Sequence, residues 1–349
     1  MKHPTIDFDE LPLRIGLGSF SDPTDERLAY IKQIGVDDIL LNFYSTPLID
    51  TTTRIPLPGE EWSFSDVLEL RNRVEDAGLR LNAIENMPKS FLRDIMLGRP
   101  NRDAKIEKVQ RSLQNMARAG IPIFGYYWDP TDVLRSSTTF RTRGGAHSMA
   151  IDLAEFANSP LLADRVYSES EMWEYYHYFL EQVLPVAESE GIRIALHPTD
   201  PPVAEIGGVP RLFRSREAFD KAFALVPSEY HGCEFCLGNW AAMGEDILDV
   251  VHHYGRQGKI FYVHFQTISN ALPAPLHEIF VDMPGYYDPI DVLRALREVG
   301  FHGLIIPGHT PRVIGDGQYC ERARAMTVGY LKGIVRTLER FESGARIGR

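Results

Sequence analysis

Short apolar runs and amphipathic segments alternate eight times along this chain, a pattern that few folds accept. The runs fall at residues 13–16, 38–43, 80–85, 122–127, 193–197, 233–235, 260–264 and 303–307. Most lack polar alternation, as expected of parallel strands covered on both faces. Eight strand-helix units in succession favour a closed (β/α)8 TIM barrel over an open, doubly wound sheet. The helices between them carry start and stop signals. Ser63 and Ser65 precede a helix over 66–77 with Gly78 as its stop, and Asp103 opens one that closes at Gly120. Ser168 and Glu171 stand at capping-box spacing before a long segment ending at Gly191, Ser215 precedes 216–225, and Pro289 begins a helix closed by Gly300.

With 349 residues, 44% of them apolar, the chain has enough material for one large core, and no Pro-, Gly- or Ser-rich linker divides it. The expected organisation is a tail over 1–12, the barrel over 13–341 and a second tail over 342–349. One connection is too long for a turn. Residues 128–162, between the fourth strand and its helix, include Arg135, Arg141, Arg143, Gly144, Gly145 and His147, and read as a lid over the catalytic rim. A net charge of -11 without any Lys/Arg run excludes nucleic acid and anionic membranes as natural partners. No apolar stretch is long enough to span a bilayer, and the acidic start lacks the pattern of a signal peptide, so the expected compartment is the cytoplasm. Three cysteines form no disulfide framework. The Cys233-x-x-Cys236 spacing also occurs in thioredoxin-like sites and zinc knuckles, but there is no second Cys pair and the segment reads as a strand end.

Three of the runs end on a residue that binds metals: His197, Cys236 and His264. In a parallel barrel the strand C-termini share one rim, so two imidazoles and one thiolate would converge there on a divalent ion.

Several motifs sharpen this reading. The segment Ala195-Leu-His-Pro-Thr-Asp-Pro-Pro202 followed by Gly208-Val-Pro-Arg211 resembles the mannonate dehydratase family, which carries a His-Pro-Asp-Asp-Pro-Pro run and a Leu-Pro-Arg sequel. Glu234-Phe-Cys-Leu-Gly238 is similar to that family's Cys-Thr-Gly segment, Phe261-Tyr-Val-His-Phe265 to its Phe-Val-His-Leu strand, and His277-Glu278 to its Phe-His-Glu motif. Upstream, Ala83-Ile-Glu-Asn-Met-Pro88 and Leu97-Gly-Arg-Pro-Asn-Arg-Asp103 also match in register.

The resemblance implies a TIM barrel of the xylose-isomerase-like kind that uses Mn²⁺ to dehydrate D-mannonate to 2-keto-3-deoxy-D-gluconate. It further implies His197, Cys236 and His264 as metal ligands and His309 and Tyr319 as the acid/base pair. A sugar acid needs cations and hydrogen-bonding groups, for which Arg14, Arg211, Glu85, Asp200, His277 and the lid arginines are available, with Glu278 beside them. His252, His253, His231 and His3 read as structural. By the same analogy the chain is expected to be a homo-oligomer, a dimer or larger.

The chain also departs from the family. The family's fourth ligand is the Asp of an Arg-Pro-Asp-His-Gly motif, whereas this chain has Ile306-Pro-Gly-His-Thr310, with Gly308 at the Asp position. Gln266 and Tyr44 likewise stand where the family has Arg and His. An ion held by one thiolate and two neutral imidazoles keeps a net charge near +1, which favours Fe²⁺ or Zn²⁺ over hard Mn²⁺. Two other functions use the same scaffold: a sugar isomerase or epimerase working through a similar enediol, and a metal-binding barrel without activity.

Overall fold

The computed structural model describes residues 7–44 and 61–342. Its central sheet closes on itself. Strand β1 comes in two pieces, Arg14–Ile15 and Leu17–Phe20, followed by β2 (Asp38–Asn42), β3 (Arg80–Glu85), β4 (Ile123–Tyr127), β5 (Arg193–His197), β6 (His231–Cys236), β7 (Ile260–Phe265) and β8 (Leu304–Pro307). Neighbours are parallel throughout and follow chain order. Arg14–Ile15 pairs with β8 and Leu17–Phe20 with β2, which closes the barrel. Gly16 sits at this change of partner, where a Cβ would lie 2.4 Å from the Asp38 carbonyl oxygen and 2.5 Å from Leu304 Cδ1. Only glycine fits there without a shift.

Leu40, Ala83, Ile123, Ala195, Tyr262, Leu304 and Ile306, drawn from strands all round the barrel, pack together in its interior. A larger apolar layer joins the strands to the surrounding helices. These begin as the capping residues dictate. Ser63 accepts from the backbone N–H of Asp66, and Ser168 and Glu171 form a reciprocal capping box ahead of Glu169–Glu190. Pro289 sits in the first turn of Pro289–Glu298, behind the Asp288 cap.

The long connection after β4 carries secondary structure of its own, which its sequence did not announce. Ser137–Arg141 and His147–Ile151 form an antiparallel hairpin, and Leu276–His277, from the connection after β7, adds a third strand. His147 also bridges to Arg312, in the loop after β8. The insertion is thus pinned to two other loops of the C-terminal rim. Among the described residues no helix is long and apolar enough to cross a membrane. His3 and most of the expected tails lie outside the described residues.

Candidate metal centre and catalytic pocket

The strand ends bring His197, Cys236 and His264 together. Cys236 is in register with His264 across β6 and β7, and one donor atom from each of the three lies within 4.8 Å of the others. The Nδ1 of His197 is 2.6 Å from the Pro198 carbonyl oxygen, so the proton belongs on Nδ1 and the Nε2 lone pair is left for the site. Burial, assisted by His264, pulls the His197 pKa down to about 4, so the ring is neutral near pH 7. Cys236 is buried, with Sγ 3.0 Å from Asn239 Oδ1 and 3.4 Å from Gln266 Oε1. Burial pushes its pKa up to about 12, so the thiol keeps its proton until a cation displaces it. His264 Nε2 is buried and makes no hydrogen bond.

Beneath this group lie two carboxyl groups. Glu85, at the end of β3, accepts from Ser19 Oγ at 2.8 Å and from Asn42 Nδ2 at 3.3 Å. Glu234, inside β6, accepts from the Tyr262 hydroxyl. Glu85 Oε1 and Glu234 Oε1 stand 3.1 and 3.3 Å from His264 Nε2. Burial works against a charge on Glu85, but the neighbouring His264, Glu234 and Ser19 side chains hold its pKa down to about 2. Burial and the Glu85 charge drive Glu234 the other way, well above the carboxylate range, so without a cation Glu234 holds the proton of the pair. Two imidazole nitrogens and a sulfur within 4.8 Å, one nitrogen buried and unpartnered, suit a borderline-soft divalent cation.

The pocket wall is a second polar chain. Arg135, from the insertion, forms a two-pronged pair with Asp200, both bonds 2.7 Å, and lies 3.9 Å from Glu278 Oε1. That same Glu278 oxygen accepts from Gln266 Nε2 at 3.2 Å and is 2.9 Å from His309 Nδ1. The His309 side chain is 38% exposed, and its Nε2 has no hydrogen-bond partner among the described residues.

Other expected site residues are not brought to this centre. Arg14 lies at the opposite, N-terminal end of the barrel, where Nη1 donates to the carbonyls of Pro12 and His302 and Nη2 to Asn82 Oδ1. Arg211 is fully buried. Its guanidinium is used up by Thr131, Tyr127, Asp129 and the carbonyls of Pro201 and Asp200, so it braces the Asp200 loop and cannot reach a substrate. Tyr319 is buried against Phe20, Arg27 and Arg324, and its hydroxyl donates to the Gly18 carbonyl at 2.8 Å. That hydroxyl is not turned to the metal triad. His277 belongs to the small sheet, its ring packed on Phe140 at 4.4 Å. Of the lid arginines, Arg141 bonds to the Gly145 carbonyl and Arg143 to Asp282, so only Arg135 enters the pocket. Tyr44 donates to the Thr131 carbonyl. Reading the sequence missed Glu234. The available signal was a carboxylate inside an otherwise apolar strand, two residues before Cys236 on the same face.

The chain is a single (β/α)8 barrel whose C-terminal rim gathers a group of side chains able to hold a metal ion. A solved L-ribulose 3-epimerase shares the scaffold with a TM-score of 0.58, at 15% identity over 97% of this chain and 100% of that one. Closer relationships narrow the class. The chain belongs to the D-mannonate dehydratase (UxuA) family, whose model matches residues 20–162 and 159–344. This is a family of hydro-lyases. Mannonate dehydratase 2 of Halalkalibacterium halodurans is 29% identical over 92% of this chain and 98% of its own length, and the Thermotoga maritima mannonate dehydratase is 27% identical over 90% and 94%. The crystal structure of the Streptococcus suis mannonate dehydratase superposes with a TM-score of 0.85, at 28% identity over 95% of each chain.

Proposed function

We propose that this chain is a metal-dependent dehydratase of a sugar acid, with D-mannonate as substrate and 2-keto-3-deoxy-D-gluconate as product. The observation that carries the reading is the convergence of His197 Nε2, Cys236 Sγ and the unpartnered His264 Nε2 at the barrel mouth, beside a half-exposed His309. Those three residues would hold the ion. A divalent cation held there would supply Lewis-acid stabilisation of the negative charge that develops when the carbon next to the carboxylate loses its proton.

The remaining work falls to the side chains. Glu278 fixes His309 with its proton on Nδ1, leaving Nε2 to accept the proton from the carbon next to the carboxylate. The C–H electrons form a C=C bond, and the bond to the hydroxyl on the next carbon breaks. The protonated His309 returns its proton to that departing oxygen, so water leaves and the resulting enol becomes the 2-keto-3-deoxy acid. Arg135 is held by Asp200 and Glu278 at the pocket wall, where it steadies the carboxylate that orients His309. The hairpin that delivers Arg135 acts as the lid. Tyr319 takes no part in proton transfer on this reading.

The test is to load metal-free protein in turn with Mn²⁺, Fe²⁺, Co²⁺ and Zn²⁺ and to offer D-mannonate and its epimeric aldonates. Formation of a 2-keto-3-deoxy acid from D-mannonate supports the proposal. Solvent deuterium entering a neutral ketose without that product, or no product from any acid with any ion, would overturn it.

A further inference from the structure

The end of the eighth strand offers the rim no carboxylate, and one lies beneath the rim inside the barrel. Gly308 has no side chain to offer, and a Cβ there would meet Gln266 Cβ at 2.8 Å, in space that the glutamine already fills on its way to Cys236. We propose that Glu234 supplies the anionic oxygen ligand of the metal centre from within the barrel. The inference rests on the reading that His197, Cys236 and His264 hold a divalent cation.

Glu234 precedes Cys236 by two residues on β6, so both side chains face inward, the carboxyl one layer beneath the thiol. Its Oε1 is 3.3 Å from His264 Nε2 and 3.8 Å from His197 Nε2. Ligand atoms around a tetrahedral ion with bonds of about 2.1 Å are separated by about 3.4 Å, so these spacings are close to those of atoms sharing one cation. Neither Glu234 Oε1 nor His264 Nε2 has a hydrogen-bond partner, although both residues are at least nine-tenths buried. Two unpartnered acceptor-capable atoms thus stand at the spacing of neighbouring ligands of one cation.

The surroundings aim this oxygen. The Tyr262 hydroxyl binds Glu234 Oε2 and leaves Oε1 toward the histidines. Gly125 makes that hydroxyl's position possible, since a Cβ there would lie 1.9 Å from the Tyr262 oxygen and 2.9 Å from Glu234 Oε2. Glu85 likewise has its Oε2 taken, by Ser19 and Asn42, and brings Oε1 to 3.1 Å from His264 Nε2, but of the two carboxyl groups Glu234 is the one that also approaches His197 Nε2, at 3.8 Å, so Glu85 stays as a neighbouring anion. With one thiolate and one carboxylate on a dication, the centre would be neutral.

Binding of Co²⁺ alone, followed by its visible and near-ultraviolet spectrum, tests this. The wild-type protein should take up one equivalent and show the thiolate-to-cobalt charge-transfer band that reports Cys236. Glu234→Gln should keep that band, shift the ligand-field bands and bind Co²⁺ about 100-fold more weakly, while Glu85→Gln stays within about threefold of wild type. Unchanged affinity and spectrum in Glu234→Gln, or a larger loss in Glu85→Gln, overturns the proposal. A wild-type protein that binds no Co²⁺, or binds it without the thiolate band, instead defeats the underlying metal reading. Should Glu234→Gln not fold, as judged by circular dichroism, the wild type still answers. The infrared difference between metal-loaded and metal-free protein labelled with ¹³C-glutamate should show a glutamate carboxyl band move to the position of a metal-bound carboxylate. A spectrum without any glutamate change also overturns the assignment.

Discussion

His309 separates chemistry from metal binding, because its Nδ1 is engaged by Glu278 and it is not one of the residues grouped around the candidate ion site. His309→Asn should lower kcat by about 10²–10⁴ while leaving bound metal at wild-type stoichiometry. Steady-state kinetics paired with elemental analysis checks this, and a loss of metal would show that the histidine helps to build the centre. The triad was legible because each member ends an apolar run, and strand ends of a parallel barrel share a rim. The structure engages Arg211 and Tyr319 elsewhere, for a reason that the sequence does not carry. A sequence shows that a guanidinium or phenol exists but not that Asp129, Thr131 and Tyr127 already consume the one and the Gly18 carbonyl the other. Glu234 was hidden by the opposite default, since a carboxylate is expected at the surface and this one is completely buried.

Strand positions could be read to within a few residues because parallel strands must be apolar on both faces, and β3 and β5 match their expected bounds. The hairpin of the insertion was not legible, as its strands Ser137–Arg141 and His147–Ile151 are short and largely polar and take their order from contacts with other loops. Cross-strand fit inside the barrel is testable at Gly125 of β4, where the Tyr262 hydroxyl of β7 occupies the place of a side chain. Gly125→Ala should cost about 1–3 kcal/mol in urea unfolding. Adding Tyr262→Phe removes the clashing oxygen, so the double variant should be less destabilised than the two single losses summed. Simple additivity would show that the backbone moves instead. At the start of β6, His231 joins β4 to the helix Glu169–Glu190, its Nε2 2.9 Å from the Tyr126 hydroxyl and 3.2 Å from that of Tyr176. Burial, with a smaller effect of Lys259, drops its pKa from 6.5 to about 3. The unfolded chain therefore accepts a proton that the folded one refuses. Stability from this residue is intact above pH 6.5 and falls as the pH drops toward 3. Between those limits the wild type should lose about 1.4 kcal/mol per pH unit more than His231→Gln. Urea titrations at stepped pH measure the difference, and parallel slopes would rule out His231 as its source.

At the scale of the whole barrel the two ends have separate duties, and Arg14 tells them apart. Read from sequence as a substrate contact, it instead ties the N-terminal end together. Its guanidinium meets Asp38 at the start of β2 at 3.3 Å, Asn82 of β3 at 3.1 Å and the His302 carbonyl ahead of β8 at 2.9 Å, all around the seam where β1 closes the sheet. Asp38 is itself buried and also holds Arg80, so removing Arg14 weakens the pairing without abolishing it. Arg14→Ala should therefore cost about 3 kcal/mol of stability, at the low end for breaking a buried pair. Its kcat/KM at a temperature where it remains folded should stay within about twofold of wild type. Arg135→Ala, at the opposite rim, strips Asp200 and Glu278 of their shared cation and should cut kcat/KM by about tenfold or more. Denaturant melts and steady-state kinetics on the pair decide the matter. If Arg14→Ala keeps its stability and loses turnover, the N-terminal end communicates with the chemistry, and the division of labour drawn from the strand polarity fails.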